Sequence, residues 1–135
     1  MIFPGYQQLS GSCFERVRHL EEAFQQEIND HRFTPYFSLH EFESLLFTAP
    51  ESIASRFSDA DYTSDLYQIR RQVKSPEEIN DDPKTAPSKR LLSLIPHYRK
   101  IADGLAVIKQ IDIGRIRTEC RHFHEWLEKL ESLSA

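Results

Sequence analysis

The chain has 135 residues, 39% hydrophobic and 11% aromatic, with a formal net charge of −4. That size and composition support one folded domain over 1–135 with a core of its own, and exclude a disordered polar chain. Apolar runs are only a few residues long and the first residues lack a basic flank, so neither a membrane span nor a secretory signal is expected.

In chain order, Ser12-Cys-Phe-Glu15 reads as a capping box that opens an amphipathic helix over 13–29, with Val17, Leu20, Phe24 and Ile28 as its stripe. Phe33, Pro35, Phe37 and Leu39 alternate with polar or amphipathic residues and predict a strand. Phe42, Leu45 and Leu46 return to helical spacing, and Thr48-Ala-Pro-Glu51 reads as a second capping box. Tyr62, Leu66, Ile69 and Val73 predict a further helix, and Ser75-Pro-Glu-Glu78 starts a short one.

Asn80 to Pro87 is a loop by residue type, and Pro87 opens a helix with Leu91, Leu92 and Ile95 inward that Pro96 stops. Residues 101–111 read as a helix interrupted at Gly104. Asp112 caps one long final helix, with Ile113, Ile116, Cys120, Phe123, Leu127 and Leu130 on one stripe. The expected class is mainly α with one or two short strands. A lone strand at 33–39 leaves backbone groups to satisfy, through residues near the N-terminus or through a second copy in a homodimer.

Charge is unevenly placed along the chain. Residues 84–121 hold nine Lys and Arg against three Asp and Glu, a net of +6 in a chain otherwise at −10. Such a stretch suits a phosphate or an acidic partner, or reflects solvated helix faces of differing sign. Cys13 and Cys120 read as reduced thiols in a cytoplasmic protein.

Two clusters carry candidate chemistry. His40, Glu41 and Glu43 lie where strand passes into helix, where carboxylates suit Mg²⁺, or else complement the helix dipole. Asp81, Asp82, Lys84, Thr85, Ser88 and Lys89 precede and open the Pro87 helix, whose free amides suit a phosphate, or else shape a solvated loop. The phosphate-cradling glycines of a P-loop are absent. Cys120, His122 and His124 resemble metal ligands, but residues two apart on a helix diverge and no second ligand pair is evident, so no zinc is expected.

Arg32-Phe-Thr-Pro-Tyr-Phe-Ser-Leu-His-Glu-Phe-Glu-Ser-Leu-Leu-Phe47, Ser75-Pro-Glu-Glu-Ile-Asn80, Thr85-Ala-Pro-Ser-Lys-Arg-Leu91 and His122-Phe-His-Glu-Trp126 follow one another in family order, behind Phe3-Pro-Gly5. With them the chain resembles the bacterial family of domains of unknown function numbered four-two-seven-six, a Toprim-like group often encoded beside AAA-type ATPases in defence-type loci. The resemblance implies an α/β fold with Mg²⁺-dependent action on nucleic-acid phosphodiesters, of which this chain is the helical, C-terminal remainder. The acidic strands of the N-terminal half would be missing. It implies Glu41 as metal ligand and catalytic carboxylate and Lys89 as the basic residue near the phosphate, while the residues themselves add Glu43 as a supporting catalytic carboxylate and Ser88, Lys84 and Thr85 as phosphate contacts at the Pro87 helix. The expected function is therefore a fragment of a nuclease or defence effector, inactive alone. The alternative is a non-enzymatic module that contacts an AAA-type ATPase.

Overall fold

Helix α1 (Cys13–Ile28) starts where the sequence placed it. Ser12 Oγ accepts from the Glu15 amide and Glu15 Oε2 accepts from the Ser12 amide, a closed capping box. Seven more helices follow in the computed structural model, which describes residues 4–79 and 83–133. They are α2 (Glu43–Leu46), α3 (Pro50–Arg56), α4 (Thr63–Arg71), α5 (Pro87–Leu94), α6 (Lys100–Ile108), α7 (Ile113–Glu119) and α8 (Arg121–Ser132). Single 3-10 turns occur at Tyr6–Gln8, Pro76–Glu78 and Pro83–Thr85. The described residues are mainly helical and contain no strand.

The core forms where α2 to α7 converge. Leu46, Phe47, Ile53, Leu66, Ile79, Leu91, Ile95 and Val107 are sealed from solvent, and Tyr98, Ile111, Ile116 and Cys120 complete the cluster. Burial of this apolar surface is the main favourable term that holds such short helices, which are too short to persist in water alone.

The strand expected at 33–39 does not form. Residues 33–38 take no regular secondary structure and form no ladder among the described residues. Side chains take the place of neighbouring strands. Glu21 on α1 accepts from the Phe37 amide at 2.8 Å, and the Phe37 carbonyl hydrogen-bonds the His122 ring on α8. Phe24 meets Phe37 edge-on at 5.2 Å, and Tyr36 stacks on Trp126 at 4.5 Å and on His122 at 5.2 Å. The backbone of Phe37 is thus used internally and is not offered for pairing with a second copy.

Four other expectations change. The final helix is broken at Cys120, because the Ser75–Glu78 turn inserts its polar groups at the break. Ser75 Oγ donates to the Glu119 carbonyl that ends α7, while Glu77 accepts from the His122 and Phe123 amides that begin α8. Gly104 does not interrupt α6. It is buried, and a Cβ there would lie 3.0 Å from Tyr98 Oη and 3.3 Å from Phe42 Cε1, so the glycine permits close packing. Thr48 does not cap α3, whose N-cap is Ala49; its hydroxyl lies 3.6 Å from Cys120 Sγ instead. Leu92, expected inward, is 45% exposed.

Glu51 on α3 pairs with Arg115 on α7 and accepts from Tyr67 Oη on α4. Arg115 holds the Glu51 carboxyl down at about 2, against an ordinary 4.5, with burial opposing and Tyr67 assisting. A carboxyl depressed by folding stabilises the fold above its unfolded value and loses that contribution as pH falls toward the folded one. Between about pH 4.5 and pH 2, Glu51→Gln should therefore lose less stability than the parent chain in urea unfolding. Parallel stability curves for the two proteins would contradict this.

Candidate functional site

The segment 39–42 turns the chain from the extended stretch into α2, and α5 points its N-terminus at that turn. Glu41 Oε2 accepts from the Ser88 amide at 2.9 Å. Pro87 occupies the first position of α5, where no amide hydrogen is required, so Ser88 supplies the first free donor of the helix. Of the two clusters singled out in the sequence, 40–43 and 81–89, the first is therefore joined at this bond to the described part of the second.

Burial alone would raise the Glu41 carboxyl. The Ser88 side chain and amide, then the Lys100 and Lys89 charges, outweigh it and hold the group below the usual carboxylate range. The result is an ionised carboxylate against a helix N-terminus, with two ammonium groups nearby. Lys84 and Thr85 form the 3-10 turn that leads into α5. Asp81 and Asp82 lie outside the described residues.

Glu43 differs from Glu41 in kind. It is fully buried in α2, where its Oε1 accepts from Tyr98 Oη at 3.4 Å and its Oε2 lies 3.5 Å from Lys100 Nζ. The Tyr98 hydroxyl is pushed up by burial and by the adjoining Glu43 carboxylate, so it stays protonated and donating. A carboxylate sealed in this way holds α2 to the start of α6. Beside it, Asp103 is 2% exposed and accepts from Arg56 Nε at 2.9 Å and from the Arg99 amide at 2.7 Å.

The fit to Mg²⁺ can be tested on donor chemistry. Mg²⁺ takes oxygen ligands in an octahedron and usually needs at least one carboxylate with waters or phosphate oxygens. Glu41 is one such carboxylate, already sharing an oxygen with Ser88. Among the described residues no group of three or more His, Cys, Asp and Glu side chains gathers around a common point. Glu41 is the described candidate carboxylate that stands beside cations and a helix N-terminus instead of being sealed in the core.

Cys120, His122 and His124 separate. Cys120 faces Thr48 in the core, with its thiol pushed up to about 12 by burial. His122 Nε2 lies 2.8 Å from Glu21 Oε1, and burial, which would lower the ring, is outweighed by Glu21. His124 Nδ1 accepts from Arg117 Nε at 3.0 Å.

Besides Lys100, four of the nine basic residues of the stretch 84–121 pair with carboxylates. Arg99 pairs with Asp103, Arg115 with Glu51, Arg117 with Glu131 and Arg121 with Glu125. A cleft of about 880 Å³ opens between α1, residues 31–35 and α8, lined by Arg18, Glu22, Phe33, Glu125, Trp126 and Lys129 among others. None of residues 40–43 or 84–89 lines it.

Sequence reasoning missed Glu21, Glu77, Tyr98 and Lys100. Glu21 carried a signal, since it follows Val17 by four residues and so falls on the apolar face of α1. Lys100 carried none, because its role depends on how α6 is placed against α2.

Removing the Glu41 side chain should cost about 1 kcal/mol, the typical worth of a helix cap. Urea unfolding of Glu41→Ala should show a lower midpoint at unchanged slope. An unchanged midpoint would mean that the bond to Ser88 does not hold α5.

Comparison with known proteins returned no match among curated proteins and none among solved structures. The profile of a family described as a domain of unknown function, DUF4276, matches residues 3–131. That match spans almost the whole chain, the site included, and the chain belongs to the DUF4276 family.

Proposed function

We propose that this chain is the helical part of a Toprim-like nuclease or defence effector, and that it does not cleave phosphodiesters by itself. One observation supports this reading above others: both candidate carboxylates are engaged within the chain, Glu41 on the α5 N-terminus and Glu43 between Tyr98 and Lys100. In this reading Glu41, ionised and beside Ser88, Lys89 and Lys100, would contribute one ligand to a Mg²⁺ ion that bridges it to a phosphate. In that setting Lys84, Thr85, Ser88 and Lys89 would neutralise and orient the phosphate. When bound, the metal would polarise a phosphoryl oxygen. Glu43 takes the role of an anchor in this reading, not that of a reacting group.

A second reading has the chain as a non-enzymatic module that contacts an AAA-type ATPase. The helix surfaces left apolar on the outside favour it, notably α6, where Ile101 is 78% exposed. Co-elution of the chain with an ATPase encoded beside it would separate this reading from the first.

Purified chain incubated with single- or double-stranded DNA or RNA and Mg²⁺ or Mn²⁺ should leave the nucleic acid intact. Metal-dependent cleavage that persists through purification and disappears in Glu41→Gln would overturn the reading.

A further inference from the structure

Helix α1 and the stretch 30–38 lie outside the core: among the described residues, the core cluster takes no side chain from either. Phe24 packs on Phe37 and binds the two pieces to each other. Their joint with α8 is a buried polar pair set among aromatic rings. Glu21 Oε1 lies 2.8 Å from His122 Nε2 and accepts from the Phe37 amide at 2.8 Å, while the Phe37 carbonyl bonds the same ring. Glu21 is 8% and His122 7% exposed, so water stands in for neither partner. A second α1–α8 pair, Arg18 with Glu125 at 3.7 Å, is open to solvent and contributes little. Tyr36 stacks on both His122 and Trp126. Trp126 Nε1, however, is sealed without an acceptor among the described residues, a cost that opening to water would relieve.

The charged groups that face the His122 ring are carboxylates, Glu21 from α1 and Glu77 from the Pro76–Glu78 turn. Tyr36 faces it from the 30–38 stretch as a phenol that burial keeps protonated, and on α8 Arg121 and Glu125 pair with each other at the surface. Neutral imidazole has one N–H to give, whereas imidazolium has two, one for each of the acceptors met here. We propose that protonated His122 latches α1 and the 30–38 stretch to α8, and that loss of this proton releases both and widens the cleft between them. Glu21 and His122 themselves line that cleft. Without the proton, one buried acceptor loses its donor and Glu21 loses its opposite charge. Burial opposes the charged ring, but Glu21, then Glu77 and the Phe37 carbonyl, outweigh it and raise the ring above its ordinary 6.5. A raised histidine contributes fully below the ordinary value, and the contribution is lost as pH rises through the raised one. The latch is therefore shut in mild acid and weakens on the alkaline side. For each pH unit between the two values the opening constant rises about tenfold.

Trp126 is the single tryptophan of the chain, so its fluorescence reports on this joint alone. The test is acrylamide quenching of the full chain from mildly acidic to mildly alkaline pH, beside an NMR titration of the His122 ring. Quenching should rise along one transition whose midpoint matches that of the ring and lies above 6.5, while the far-ultraviolet circular dichroism stays constant. Glu21→Gln should bring the ring midpoint down toward 6.5, and His122→Gln should make the quenching independent of pH. If either variant fails to fold, the parent titration decides by itself. Quenching that stays flat while the ring titrates, a ring midpoint below 6.5 or a transition that survives in His122→Gln would each overturn the proposal. Loss of helical signal along the same transition would overturn it too, because the whole chain would then be unfolding and no latch opening.

Discussion

Where the described residues form helices without a ladder of paired strands, backbone donors at helix starts and along irregular chain must find acceptors elsewhere. Here glutamates supply them across the molecule. Glu21 accepts from Phe37, Glu41 from Ser88, and Glu77 from both His122 and Phe123. Each bond ties together segments distant in sequence, so these carboxylates decide which elements meet. An amide–carboxylate bond is stronger than a neutral one, and a buried acceptor left without its donor is costly, so both partners are locked in place.

This constraint accounts for much of the polar sequence in the family-like segments. Ser75-Pro-Glu-Glu78 closes its own turn through Ser75 and Glu78 and, through Ser75 and Glu77, divides α7 from α8. The His122-Phe-His-Glu-Trp126 segment receives Glu77 at its backbone and Glu21 at its first histidine, and Trp126 stacks on Tyr36. The Glu41 and Glu43 pair, adjacent on either side of Phe42, divides its work between the start of α5 and the start of α6. The segments that carry the family resemblance are thus the ones that interlock, and their carboxylates first serve architecture.

Helices whose signal is local were legible in the sequence. The Ser12–Glu15 box, Pro87 at the first position of α5 and Asp112 at the start of α7 all hold as read. The alternation at 33–39 misled, because an extended segment clasped between two helices has the same two-sided pattern as a strand. The continuous stripe 113–130 hid the break at Cys120, since Glu77 imposes that break from outside the stripe. At the site, the bond from Glu41 to Ser88, which joins the clusters 40–43 and 81–89, was legible as an excess of polar groups without a local task. Lys100 was not, because only tertiary packing sets it against Glu43.

The central claim, that remote carboxylates serve as the backbone partners of this fold, is tested most directly by amide hydrogen exchange at single-residue resolution. Phe37, Ser88, His122 and Phe123 have carboxylates as their acceptors, whereas a helix-start or extended-chain amide open to water exchanges freely. Near neutral pH these four amides should exchange as slowly as amides inside α2 and α6. Rapid exchange at all four, with the helical amides protected, would contradict the account.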